Sequence, residues 1–256
     1  MKLKTENIQR LFTKVKLLTS LSCLLFATMA NAEITVAMYA GKSFVDNGDL
    51  TLNQGNTNLH YSNVSWSDQS FHSPILYGGR IGYWFDSAPN WGLSIDYTHI
   101  KNLLNVNQTT QVNGVLNGVP HNAVEPISNT IQEFGMTHGV NAITFNGMYR
   151  WFPAGERNES LLGRMQLYTG LGAGFIVPFV LASINGSNTF QYQAGAGPAV
   201  NGMLGINYDI YSFMSAFVEY KLTYVDAQPN LNGGGSISTQ TVNNQLLFGL
   251  SARFDP

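Results

Sequence analysis

Between residues 213 and 224, apolar or aromatic residues alternate with mostly polar ones. One face of this segment carries Met214, Ala216, Val218, Tyr220, Leu222 and Tyr224, and the other carries Ser215, Phe217, Glu219, Lys221 and Thr223. A period of two residues is typical of a β-strand whose two faces meet different environments. The pattern recurs along the chain, which favours a transmembrane β-barrel with lipid outside and a polar lumen inside.

The N-terminus predicts an export signal. Its basic residues are Lys2, Lys4, Arg10, Lys14 and Lys16. The apolar run at residues 17–29 is too short to span a bilayer as a helix, and Ala30-Asn31-Ala32 supplies a small-x-small cleavage site. We therefore predict a cleaved signal peptide at residues 1–32 and one barrel domain at residues 33–256. The only cysteine, Cys23, lies in the signal, which excludes disulfides and thiol chemistry in the mature chain.

Eight alternating segments are predicted as the strands of an all-β, antiparallel, outer-membrane barrel. They cover residues 34–41, 76–85, 91–101, 138–151, 165–179, 191–208, 213–224 and 240–254. Short connections alternate with long polar ones, of which residues 42–73 and 102–137 are rich in Asn and Gly. Short turns of such barrels face the periplasm and long loops face the exterior. An even strand number then places both termini in the periplasm.

Composition excludes several classes of function. Five of the thirteen basic residues belong to the signal, so the mature chain is acidic and no nucleic-acid partner is expected. No later segment approaches the roughly 20 apolar residues of a spanning helix, and an eight-stranded lumen is too narrow for an open porin channel. No nucleophile elbow, phosphate loop, HExxH or dinucleotide fingerprint is present. A secreted soluble sandwich remains as an alternative fold.

Several charged residues fall on the predicted lumen face. They are Arg80, Asp96, Arg150, Glu219, Lys221 and Arg253. Because side chains fill so narrow a lumen and each buried charge needs a partner, the favoured interpretation is a plug of ion pairs.

The five histidines all lie towards the exterior in this topology. His60 and His121 fall in loops, and His72, His99 and His138 fall near the ends of strands. Histidines on different strands with nearby carboxylates are candidates for a divalent or redox metal site. His72 and His138 are the favoured ligands, since alternation points His99 outward. The alternative is that polar residues simply collect in exposed loops.

Short motifs of this chain are similar to known membrane barrels, one motif in a general way and a set of motifs more specifically. YTGLGAGF at residues 168–175 is similar to a strand motif of small OmpA-like membrane barrels. A more specific joint pattern consists of WGLSIDYTHIK at 91–101, THGVNAITFNGMYRW at 137–151, TFQYQAGAGPAV at 189–200, VEYKLTY at 218–224 and LNGGGSISTQTVNNQLLFG at 231–249. Together these segments resemble the outer-membrane lipid A oxidase family known from rhizobia.

The resemblance implies an enzyme at the outer leaflet that oxidises the proximal glucosamine of lipid A to 2-aminogluconate with molecular oxygen. Six residues in the matching segments are the catalytic candidates: Asp96, His99, Lys101, His138, Glu219 and Lys221. The expected partners are outer-membrane lipopolysaccharide and the barrel assembly machinery, and the expected state is a monomer. The chain departs from the usual barrel ending, because Asp255 and Pro256 follow Phe254.

A non-enzymatic function is the alternative. In that hypothesis the protein is a structural or adhesive barrel, and its long loops at residues 42–73 and 102–137 bind lipopolysaccharide or host surfaces. Fold resemblance alone does not decide between the two hypotheses.

Overall fold

The computed structural model describes residues 32–254 of the chain. Residues 1–31, with nearly all of the predicted signal peptide, lie outside the described residues, as do Asp255 and Pro256. Seventeen strands follow one another within residues 32–254: β1 (Glu33–Val45), β2 (Gly48–Gln54), β3 (Thr57–Val64), β4 (Trp66–Ser67), β5 (Tyr77–Phe85), β6 (Ala88–His99), β7 (Asn102–Leu104), β8 (Thr109–Leu116), β9 (Val119–Pro126), β10 (Ile131–Met136), β11 (Ala142–Trp151), β12 (Met165–Ile176), β13 (Phe179–Ile184), β14 (Ser187–Tyr192), β15 (Pro198–Tyr211), β16 (Met214–Ala227) and β17 (Ser236–Phe254).

Eight of these strands form a closed antiparallel barrel. Their order around the wall is β1, β5, β6, β11, β12, β15, β16 and β17, and β17 returns to pair with β1. Ile34 lies opposite Phe254, so the two ends of the barrel chain meet at one rim. The predicted eight-stranded outer-membrane barrel is therefore confirmed. Among the residues described, no helix is long and apolar enough to cross a membrane.

The two faces of the wall follow the alternation seen in the sequence. The outward side chains include the exposed apolar residues Met38, Ile81, Leu93, Phe145, Leu171, Leu204 and Leu250. Alternate positions, such as Arg80 on β5 and Tyr168 on β12, are buried in the lumen. Trp91 and Tyr149 contact each other edge to face at 4.9 Å near the rim that holds the short turns. The exposed apolar belt is the surface that a barrel presents to lipid.

Beyond the other rim, the segments predicted as loops are folded. Strands β2, β3, β8 and β9 extend the barrel sheet from the end of β17, and β4, β7, β10, β13 and β14 form a second sheet. The two sheets share a buried apolar core that includes Leu50, Leu59, Val112, Phe134 and Val180. Residues 42–73 and 102–137, predicted as long loops, therefore consist largely of strands, and His60 and His121, predicted in loops, lie in strands β3 and β9. We call this part of the molecule the cap.

Several strand ends also differ from the prediction. The fourth barrel strand begins at Ala142 instead of residue 138, because Gly139 and Asn141 have φ of 95° and 50° and interrupt the extended chain. The fifth strand ends at Ile176, before Pro178. The sixth begins at Pro198, the first residue of a strand being a position where proline removes no ladder bond.

An apolar layer separates the lumen from the cap. Ile100, Met136 and Val140 pack against inward side chains of the barrel, among them Ile176 and Val225. All five are fully buried. The cap end of the lumen is therefore closed by packed side chains.

Candidate functional site

Strand pairing brings four charged residues to one level of the lumen. Arg80 on β5 lies directly opposite Asp96 on β6. Glu219 and Lys221 reach the same level from β16, where a spacing of two residues puts both on the inward face. Each of the four side chains is at most 8% exposed.

These four side chains form hydrogen bonds and ion pairs with one another. The Arg80 Nε donates to Asp96 Oδ2 at 2.7 Å, and its two terminal nitrogens donate to the Glu219 carboxylate at 2.7 and 2.8 Å. The Lys221 Nζ donates to Asp96 Oδ1 at 2.9 Å and to the Tyr39 hydroxyl at 2.9 Å. The Tyr39 hydroxyl donates in turn to Asp96 Oδ1 at 2.6 Å. Two cations and two anions are thus neutralised inside one bonded network.

The predicted ion-pair plug is therefore found, and we call it the lumen network. A second group of pairs lies nearer the turn end, where Arg150 pairs with Glu33 and Arg157 pairs with Asp209 at 2.9 Å. Glu33 and Asp209 were not among the predicted lumen residues, although both occupy inward-facing positions of the alternating strands β1 and β15. The catalytic candidates Asp96, Glu219 and Lys221 lie in the lumen network, beneath the apolar layer and apart from the outer rim.

The other candidates collect on the outside of the wall. A crevice of about 360 Å³ opens there, where β5, β6 and β11 approach the cap. It is lined by Pro74, Tyr77, Tyr97, His99, His138, Asn141, Ile143, Val177 and Tyr192. We call it the wall crevice. Its floor lies on the apolar belt and its upper edge on the cap, so it occupies the level at which lipid head groups would lie.

His99 is the most buried polar side chain of the wall crevice. It is 3% exposed and occupies an outward position of β6, in agreement with the predicted alternation. Its ring stacks on Tyr77 with 4.8 Å between centroids. The Nδ1 atom lies 2.9 Å from Asn141 Oδ1, whereas Nε2 has no hydrogen-bond partner within residues 32–254.

Asn141 determines which nitrogen of His99 carries the proton. The Asn141 Nδ2 donates to the carbonyl oxygens of His138, Gly139 and Val177 at 3.2, 3.3 and 3.0 Å. These contacts assign the amide orientation and leave Oδ1 to accept from the Tyr97 hydroxyl at 2.8 Å and from His99. The Nδ1 of His99 is therefore the donor, and its Nε2 is an acceptor that is buried without a partner in residues 32–254.

Lys101 and His138 are further ionisable residues at this end of the wall. Lys101 follows it by two residues and is 4% exposed, with its Nζ donating to the carbonyl oxygen of His72 at 3.0 Å. Burial lowers the pKa of the Lys101 ammonium. The exposed ring of His138 packs edge to face on Phe179 at 4.6 Å. Lys101 and His138 both act electrostatically on His99, and within residues 32–254 no carboxylate forms an ion pair with any of the three.

The wall crevice is lined by two histidines and by no carboxylate. Across the described part of the chain, no three His, Cys, Asp or Glu side chains are close enough to hold a metal ion. His72 contributes its backbone carbonyl to Lys101, and His138 lines the crevice, so the predicted ligand pair gains no carboxylate. A metal role for these two histidines stays a prediction. Tyr77 and Asn141, which sequence reasoning missed, contribute more directly to the geometry of the site.

Comparisons with known proteins find only distantly similar solved structures. No protein-family model and no curated protein sequence matches this chain. Among solved structures, the outer membrane protein OprG from Pseudomonas aeruginosa aligns at 11% identity and a TM-score of 0.36, covering 89% of this chain and 98% of its own. The outer membrane protease OmpT from Escherichia coli aligns at 11% identity and 0.37, covering 89% and 98%. Ail, the attachment invasion locus protein of Yersinia pestis, solved in complex with the heparin analogue sucrose octasulfate, aligns at 9% and 0.35, covering 88% and 99%.

Proposed function

We propose that this outer-membrane barrel binds the head group of lipopolysaccharide in the wall crevice and oxidises the proximal glucosamine of its lipid A with molecular oxygen. The observation that carries the proposal is the position of His99, an imidazole at a crevice on the lipid-facing wall whose Nε2 is buried and has no hydrogen-bond partner in residues 32–254. The lipid A chemistry comes from the sequence resemblance. In this proposal the turn rim and both termini face the periplasm, and the cap faces the exterior.

The crevice supports recognition of a sugar head group through two features. Tyr77, Tyr97 and Tyr192 supply aromatic surfaces with polar tips, a combination suited to a boundary between lipid and water. Asn141 keeps the His99 ring in the tautomer whose Nε2 is an acceptor, and in this proposal a sugar hydroxyl that displaces the atoms covering Nε2 donates to it. The lumen network has no such role, since the apolar layer separates it from the head groups.

The overall reaction balances without a metal-bound intermediate. The hemiacetal at C1 of the proximal glucosamine loses two electrons and two protons to dioxygen, which gives the lactone and hydrogen peroxide. Water then opens the lactone to 2-aminogluconate, a net gain of one oxygen atom. Since the crevice residues do not fit a metal, we assign no metal-dependent step to them. The role we propose for His99 is to bind the sugar hydroxyl and hold its proton.

Mass spectrometry of lipid A tests the proposal. Outer membranes with and without the protein would be grown in air and without oxygen, and we expect an oxygen-dependent gain of one oxygen atom on the proximal sugar only when the protein is present. His99→Phe, which keeps an aromatic ring against Tyr77, should abolish this gain. His60→Phe in the cap is the matched control and should leave it intact. Identical spectra from a folded, inserted protein would remove the oxidase hypothesis.

A surface-binding function is the second candidate, favoured by the cap. Hairpin β8–β9 exposes Val119 and Val124, which are 64% and 70% accessible, and β9 is the last strand of its sheet in the described chain. If this hairpin binds host surfaces, Val119→Asp with Val124→Asp should abolish cell attachment. Leu161→Asp, at an equally exposed apolar residue in a turn of the opposite rim, is the control. Unchanged attachment with the first pair would count against the cap as a binding surface.

A further inference from the structure

We propose that one face of the β13–β14 hairpin, at the base of the cap, contacts the lipid leaflet on the cap side of the membrane. This face carries exposed aromatic rings and continues the lipid-facing surface of the barrel wall. The inference goes beyond the proposed function, because it extends the lipid contact from the barrel to the cap. It depends neither on the oxidase nor on which end of the barrel faces the periplasm.

The register of the hairpin puts four apolar side chains on one face. Phe179 lies opposite Tyr192, and Leu181 lies opposite Phe190. The alternate residues of β13, among them Val180, point the other way into the cap core. We call the side that carries Phe179, Leu181, Phe190 and Tyr192 the aromatic face.

The aromatic face is open in the described chain. Phe190 and Tyr192 are 65% and 61% accessible. Both rings contact Phe179 edge to face, with 4.6 and 4.8 Å between centroids, and the ring of His138 lies 4.6 Å from Phe179. Large rings that are held in place by one another and still exposed indicate a contact surface.

The aromatic face is continuous with the wall that faces lipid. Tyr192 lines the wall crevice together with Ile143, an outward residue of β11 that pairs with Phe175 of the apolar belt. Strand β12 ends at Ile176 and β13 begins at Phe179, so two residues separate the wall from the first ring of the hairpin. Lipid that covers the belt at Phe175 therefore reaches the base of the aromatic face.

The polarity of the hairpin changes with distance from the wall. The two rows nearest the barrel are the four apolar residues of the aromatic face, and the next row is Ser183 with Asn188. Glu133 on β10 lies opposite Ser183 and adds an exposed carboxylate to this row. A strand rises about 3.3 Å per residue, so the apolar rows cover roughly 7 Å, close to the thickness of one head-group layer. The change from apolar to polar matches the change in the surrounding leaflet.

The position of β14 limits how deep the aromatic face can lie. Within the described chain, β14 is the last strand of its sheet. Open sheet edges do not occur in the hydrocarbon region, because their backbone groups would lack hydrogen-bond partners there. At the far end of β14 the edge has a polar partner, since Asn232 Nδ2 donates to the carbonyl oxygen of Asn188 at 3.0 Å. The aromatic face therefore lies at the boundary between head groups and acyl chains, where aromatic residues are enriched.

A second group of side chains has the same character on the neighbouring strand β1. Lys42 lies two residues beyond the β1 partner of Tyr77, which lines the wall crevice. Its Nζ donates to both carboxylate oxygens of Asp68 at 2.8 and 2.7 Å. The exposed rings of Phe44 and Phe71 have their centroids 5.5 and 5.7 Å from this ammonium. Exposed rings beside a neutralised ion pair fit a boundary between lipid and water, so this part of the rim lies at the same level.

Site-directed spin labelling in phosphatidylcholine bilayers tests the contact. Cys23→Ser removes the only cysteine, and one label at a time is attached through Tyr192→Cys, Phe190→Cys or Asn188→Cys, which follow one face of β14 away from the wall. Oxygen concentrates among acyl chains, and a neutral nickel chelate stays in water. We expect the ratio of oxygen to nickel accessibility to be several-fold higher at residues 192 and 190 than at residue 188.

Two positions of similar exposure calibrate this ratio. Leu171→Cys, at a belt residue that is 74% accessible, should give the highest ratio of oxygen to nickel accessibility. Val124→Cys, at a cap residue that is 70% accessible and lies outside the wall crevice, should give a ratio as low as that of Asn188→Cys. Exposure is thus matched to that of Phe190, and the position relative to the wall differs.

Other results would overturn the lipid contact. If Phe190→Cys gives the same ratio as Val124→Cys, the aromatic face lies in water and is open to a soluble partner. Spin–spin broadening in fully labelled Phe190→Cys that disappears on dilution with unlabelled protein would show that a second copy covers the face instead of lipid. If Phe190→Cys does not fold, as judged by its gel shift, Tyr192→Cys decides the question by the same ratio.

Discussion

The lumen network and the wall crevice use the same kinds of residue in opposite ways. In the lumen, Arg80 and Lys221 are bonded to Asp96 and Glu219, and each of these four charges has a counterion. In the crevice, neither His99 nor His138 has a carboxylate partner among the described residues, and Lys101, two residues after His99, has none either. Charged side chains at the centre of the barrel are therefore paired, whereas the ionisable side chains near the cap end of β6 are not.

The largest effect should come from breaking the lumen network. Glu219→Ala leaves Arg80 with one carboxylate partner and removes the acceptor of the Tyr168 hydroxyl. Removing one partner of a buried pair typically costs about 3 to 5 kcal/mol. We expect the free energy of unfolding to fall by this amount, measured in urea by the gel shift between folded and unfolded barrel.

A charge-balanced double variant is the control for this prediction. Arg80→Met with Glu219→Leu removes both members of the pair, and such replacements are often close to neutral. The remaining pair of Asp96 and Lys221 keeps its contact at 2.9 Å. If the single and double variants lose equal stability, the network is not held by charge pairing. A stable Glu219→Ala barrel that has lost lipid A oxidation would instead make Glu219 a functional residue.

A smaller loss is expected at Asn141. Asn141→Gly tolerates the local φ of 50° but removes the amide that bonds three carbonyl oxygens and orients His99. Buried groups left unsatisfied cost about 1 to 3 kcal/mol, so we expect a loss of about 2 kcal/mol in urea unfolding and weaker lipid binding. Asn185→Gly, at a similar φ of 48° in the cap, is the control and should not lose stability. Unchanged lipid binding in Asn141→Gly would show that His99 needs no orienting partner.

The comparison of paired and unpaired charges predicts that removing the charge of Lys101 raises the free energy of unfolding instead of lowering it. Without a ligand, its charge is buried and unpaired, so Lys101→Met should stabilise the protein by about 1 kcal/mol. The same substitution at Lys221 should destabilise it, because the buried Asp96 would lose one of its two cationic partners. The measurement is urea unfolding in neutral detergent free of phosphate. Destabilisation by Lys101→Met under these conditions would mean that the protein already compensates this charge.

The barrel was predictable from sequence because lipid and a narrow lumen impose one strict alternation on every strand. The cap was not, because its strands are short and Asn-rich, and they are buried only through contacts between distant segments. Leu50 and Phe134 belong to one core although they are far apart in the chain. The strand ends at Gly139 and Asn141 were missed for a local reason, since alternation does not report positive φ.

For the candidate site, the sequence predicted which face of the barrel wall each residue occupies. The alternation of side chains along each strand placed Glu219 in the lumen and His99 on the outer face, and both placements are confirmed. Alternation could not show that Tyr77 stacks on His99, because that contact depends on the register of β5 against β6. It also could not show which charges are paired. The difference between Lys42 and Lys101 depends on where Asp68 lies after folding.

Asp68 gives the smallest and most specific test. Burial alone would raise its pKa, but hydrogen bonds from Lys42 and Ser70 outweigh this effect, and the pKa is lowered. A lowered pKa means that the pair stabilises the folded state above the ordinary carboxyl pKa of about 3.9 and loses this contribution as pH falls through the folded value. Asp68→Asn should therefore cost less than about 1 kcal/mol at pH 7, and this cost should shrink as the pH falls below the ordinary carboxyl value, measured by urea unfolding over that pH range.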